Sequence, residues 1–98
     1  MADEMTLIAK AKMALRVSGD DFDPQISDLI EAAKADIRRI GVTELAETDP
    51  LVRTAIITYC RLHFGTPNDY DRLVVSYEEQ LKALQSAIKY RRPPDGQI

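Results

Sequence analysis

Two Asp-Pro dipeptides, Asp23-Pro24 and Asp49-Pro50, and two glycines that follow apolar stripes, Gly41 and Gly65, decide most of what this chain can become. An aspartate before a proline accepts the free N–H groups that open a helix, and proline has the φ already set for the first helical position. Glycine adopts the left-handed backbone that closes one. The punctuation therefore predicts helices over about 24–40 and about 50–64, with one helix before them and one after.

The first spans 5–16, where Leu7, Ile8, Ala11, Ala14 and Leu15 recur at spacings of three and four. A polar turn through Ser18-Gly19-Asp20-Asp21-Phe22 leads to the second, whose stripe is Ile26, Leu29, Ile30, Ala33, Ile37 and Ile40, with Arg38 and Arg39 facing the negative end of the helix dipole. The segment 42–47 is a connector with room for a short helical turn.

The third helix leaves only a narrow polar strip, Thr54, Thr58 and Arg61. A helix apolar nearly all round is buried, so it should be the central helix, or be covered on one side by a neighbouring subunit. The last, about 70–90, carries Val74, Tyr77, Leu81, Leu84 and Ile88 at alternating spacings of three and four. The run Leu73-Val74-Val75 has no second strand to pair with, which excludes a lone strand there. Residues 91–98, RRPPDGQI, cannot stay helical past Pro93-Pro94 and form an extended C-terminal arm. The expected architecture is all-α: one helical domain over 1–90, a small bundle of four helices around a buried third, with a flexible arm over 91–98.

Ninety-eight residues fit one domain, and a chain this short buries roughly 60–65% of its unfolded surface, so assembly can complete its core. A net charge of −3 is the wrong sign for gripping phosphates, and no apolar run approaches the roughly 20 residues of a membrane span. The N-terminus also lacks a basic segment followed by an apolar one, so no export signal is expected. The single cysteine, Cys60, excludes an internal disulfide and suits a reducing cytoplasm.

The chemistry-bearing residues read as structure. Cys60 and His63 share a helix but supply two metal ligands where a zinc site needs more, and as nucleophile and base they lack an orienting third group. Asp20, Asp21 and Asp23 resemble the start of a calcium loop, yet that register puts Ile26 where the loop needs glycine; Asp23 is better placed as a helix cap. A helix-turn-helix would present only Arg53 and Arg61 among apolar residues. No catalytic, metal or cofactor site is expected. Arg91-Arg92 before Pro93-Pro94 fits both a docking arm and dipole-favouring arginines at a fraying end.

Leu15-Arg16-Val17, the acidic turn Gly19-Asp20-Asp21-Phe22-Asp23 and the helix with Leu29-Ile30-x-Ala32-Ala33-x-x-Asp36-Ile37 resemble the N-terminal half of the head-tail connector family of long-tailed phages and prophages. Asp49-Pro50-Leu51-Val52-x-x-Ala55-Ile56 and Tyr59-x-x-x-His63-Phe64-Gly65 resemble its second half. The resemblance implies a structural virion protein that is not an enzyme. Its subunits would join in a dodecameric ring beneath the portal protein, meet a tail-side or stopper protein, and pass DNA through the channel without specific binding or any membrane. It would sit at the head-tail junction of the virion after assembling in the host bacterial cytoplasm.

Ring contacts of this kind join two different faces of the subunit, here expected on the outward sides of the second and fourth helices. Tyr90, Arg91, Arg92, Pro93 and Pro94 are the expected portal-binding arm. A small cytoplasmic adaptor or regulator with one protein partner shares the same physical features, and a defined small stoichiometry would distinguish it.

Overall fold

A computed structural model describes residues 6–42, 45–46, 49–65 and 68–91, the last five as helix backbone only. It holds four helices, α1 (Leu7–Leu15), α2 (Asp23–Arg39), α3 (Pro50–His63) and α4 (Tyr70–Arg91), with no strand among the described residues. α3 packs against each of the other three, and α1 also touches α2. The predicted central helix is therefore central. Ile56, Ala55 and Cys60 of α3 are fully buried together with Ala11 of α1 and Ile26, Ala33 and Ile37 of α2. The alanines on three helices let the backbones approach closely.

The two Asp-Pro starts play different parts. Asp49 caps α3 as expected, its Oδ1 accepting from Leu51 N at 2.9 Å. Asp23 does not cap α2: the backbone ladder begins one residue earlier, with Ile26 N donating to Phe22 O at 2.9 Å, which places Asp23 inside the first turn. Its carboxylate turns instead to Lys12 of α1, Nζ to Oδ1 2.8 Å, still near the positive end of the dipole. Lys12 also reaches Asp20 at 3.4 Å, so the acidic turn closes over α1 by charge.

α1 is shorter than predicted at both ends. Thr6 caps it, Oγ1 accepting from Ala9 N at 3.2 Å, and Arg16 ends it in the left-handed conformation at φ 60°, where Val17 N donates to Lys12 O at 3.0 Å. A side chain held at positive φ is strained by about 1–2 kcal/mol, whereas glycine is free there but loses more chain entropy on folding. Arg16→Gly should therefore raise stability by about 0.5–1 kcal/mol, read as a higher urea midpoint; a lower midpoint would show that Arg16 contributes through its side chain. Gly41, at φ +99°, ends α2 in the way its position predicts.

Two apolar patterns shift from expectation. On α4 the buried residues are Leu73, Tyr77 and Leu84, while Val74 and Leu81 are half-buried, so the seam is rotated toward Leu73, the side facing α3. The side chain of Ile88 lies outside the described residues. On α3 the polar strip is not all solvated: Thr54 and Arg61 are exposed, but Thr58 is buried between the flanking helices. Val42, in the connector after α2, joins the core at 1% exposure.

Candidate functional site and interaction surfaces

The one reactive pair in the sequence, Cys60 and His63, divides between core and surface. Cys60 is fully buried, and burial pushes its thiol pKa up to about 11, which leaves almost no thiolate near neutrality. His63 is exposed and lies against Tyr59, with ring centroids 4.2 Å apart and planes tilted by 42°. Among the described residues no group of three His, Cys, Asp or Glu is placed to hold a metal, and no helix is long and apolar enough to cross a membrane.

A polar cluster ties α2, α3 and α4 together. The Tyr77 hydroxyl on α4 donates to Asp36 Oδ2 on α2 at 2.6 Å, and Arg39 Nε donates to Asp36 Oδ1 at 3.0 Å. The Tyr77 ring meets Tyr59 of α3 edge to face, centroids 5.7 Å apart. Partial burial works against the Asp36 charge, but the Tyr77 and Arg39 hydrogen bonds and the Arg39 and His63 charges outweigh it and hold the carboxyl below its ordinary range. Further along, Gln85 Nε2 donates to Ile40 O at 3.1 Å, a second tie from α4 to the end of α2.

A group whose pKa is lowered on folding adds stability above its unfolded pKa and loses it as pH falls through the folded one. The Asp36 contribution is therefore complete at neutral pH, starts to fall as pH nears the unfolded carboxyl value of about 4, and is lost as pH drops through the lower folded value. Tyr77→Phe keeps the packed ring and removes only the hydrogen bond to the carboxylate, a loss of about 1.5–3 kcal/mol. Urea unfolding should show that gap between the two proteins at pH 7 and a narrower one at pH 3; a constant gap would mean that the hydroxyl acts independently of the Asp36 charge.

The polar strip of α3 has a different surrounding. Thr54, Ile57, Thr58 and Arg61 floor an open groove of about 380 Å³, walled by Ala14 of α1 and by Leu73, Ser76 and Gln80 of α4. In that wall Gln80 donates Nε2 to Ser76 Oγ at 3.2 Å, while its Oε1 is buried without a hydrogen-bond donor. Arg61 at one end has Asp69 as a loose partner at 3.8 Å. Leu51, 44% exposed, stands one turn ahead of Thr54 on the same helix. A second and smaller recess, about 220 Å³, lies between the start of α1 and Ser27, Ile30, Glu31 and Lys34 of α2. Outside these, the exposed ridge of α2 carries Asp28, Ala32, Ala35 and Arg39.

Of the predicted arm, Tyr90 and Arg91 form the last residues of α4, with side chains outside the description, and Arg92, Pro93 and Pro94 lie outside the described residues altogether. The Asp36–Tyr77 bond was not foreseen, although a tyrosine in an apolar seam needs a partner for its hydroxyl once buried. The groove was foreseen only as a polar strip. A family model described as phage connector protein matches residues 7–94. No curated protein and no solved structure matches the chain.

Proposed function

The chain belongs to the phage connector protein family, and from that premise we propose that it is a structural, non-enzymatic subunit of the head-tail junction. It joins other copies in a ring beneath the portal and extends the DNA channel toward a tail-side or stopper protein. The observation that carries this reading is the extent of the family match, which takes in all four helices rather than one motif. Three features of the chain support it. Its thiol is buried and unreactive. Its net charge of −3 suits a channel wall that DNA must pass without sticking. Its two sides differ, one a groove and the other a ridge, as a closed head-to-tail ring requires. Assembly takes place in the host bacterial cytoplasm, and the finished subunit resides in the virion.

The subunit associates weakly alone and closes on the portal, which presents many identical sites at high effective concentration. Sedimentation of the purified chain with the portal protein encoded beside it tests this. Co-sedimentation at about one copy per portal subunit is the expected result. Intact portal rings that leave a well-folded chain behind would overturn it in favour of a helical adaptor with a single partner.

A further inference from the structure

The groove and the ridge of α2 lie on opposite sides of α3. Tyr59 and His63, the α3 residues grouped around Asp36 of α2, each follow a groove residue, Thr54 and Thr58, by five positions, roughly 140° around the helix. A copy approaching from the groove side therefore presents its own groove outward on its far side if it docks by α2. That is a heterologous contact, repeatable from copy to copy.

Resting on the ring reading above, we propose that the occupant of the groove is the outer ridge of α2 from the next subunit. Charge and shape agree along its length. Asp28 is an exposed carboxylate near the start of the ridge, Ala32 and Ala35 in its middle have no bulk to hold a floor of Thr54, Ile57 and Thr58 away, and Arg39 stands at its end. The groove carries Arg61 at one end, with the hydrogen-bonded Ser76 and Gln80 in its α4 wall. Asp28 and Arg39 are eleven residues apart, roughly 16 Å along the helix, and the α3 floor from Arg61 to Thr54 runs roughly 10 Å before the long arginine side chains are counted. Asp28 thus meets Arg61, which its own loose Asp69 partner leaves able to pair.

The test mixes two single variants of the full chain, Ala35→Cys and Thr54→Cys, both at exposed positions, with portal rings under mild oxidation. The native Cys60 is buried and does not compete. The expected product is a 35–54 linked pair, with 35–35 and 54–54 pairs at least about tenfold rarer, and the double variant should give a ladder of multimers. Arg61→Glu should weaken association at least about tenfold, and adding Asp28→Arg should restore it. Rings on the portal without 35–54 links, or with like pairs just as frequent, overturn this contact and leave the connector reading standing. Failure to form any multimer, alone or on the portal, overturns both.

Discussion

Ile56→Ala should lower the stability of the fold by about 2–5 kcal/mol, the largest loss expected from any single conservative change in the chain. Ile56 is fully buried in the middle of α3, the helix that all three others touch, so no neighbour can close over the space without moving a helix. Domains of this size are stable by roughly 5–15 kcal/mol in total, and each kcal/mol moves the melting temperature of a chain this long by about 4–8 °C. A fall of about 10–30 °C in a circular-dichroism melt is the expected reading. Val75→Ala serves as the control, because Val75 is 57% exposed on α4 and its loss should stay within about 0.5 kcal/mol. An Ile56 variant that melts like the control would show that α3 is not the element around which the molecule packs.

That central position was legible in the sequence because it depends on a local property. A helix with apolar residues on nearly every side has nowhere to be but inside, and Asp49, Pro50 and Gly65 mark its limits by backbone chemistry alone. Asp23-Pro24 carries the same signal and yet Asp23 serves as an ion-pair partner, since Lys12 reaches it from another helix. A cap and a salt bridge draw on the same carboxylate, and only the packing of α1 against α2 decides between them. The register of α4 is a second case. In Leu73-Val74-Val75 every residue is apolar, so periodicity leaves the inward one undetermined, and the position of α3 selects Leu73.

The contacts that build the surfaces were less legible still. Asp36 and Tyr77 are 41 residues apart, and nothing local pairs them. Thr54, Thr58 and Arg61 were visible as a strip on α3, but a polar strip reads alike whether it faces bulk water or floors a groove. The difference is made by α1 and α4, which flank the strip without closing over it. The arm is the reverse case. Its residues are plain in the sequence, and of them only Tyr90 and Arg91 are described, as helix backbone at the end of α4.

Truncation after Tyr90 should therefore separate folding from docking more sharply than any point mutation. Leu84 is the last of the buried core residues described, and Gln85 makes the last tie described between α4 and the body, so removing 91–98 takes away no described contact within the domain. The truncated chain should melt within about 4 °C of the full one, because changes that remove no core contact stay within about 0.5 kcal/mol. Portal binding should nevertheless fall below detection. On the proposed arm, Arg91 and Arg92 are planar forks of donors of the kind that suit carboxylates, and a Pro-Pro pair favours extended backbone, which lowers the freedom lost on binding. A contact repeated at every position of a ring multiplies through effective concentration, so its loss from each copy dissolves the whole assembly rather than weakening it in proportion. Replacing Arg91 and Arg92 with glutamate in the full-length chain, Arg91→Glu with Arg92→Glu, should reproduce the loss by charge alone. Portal co-sedimentation that survives both changes would remove the arm from the interface and assign docking to the helical body.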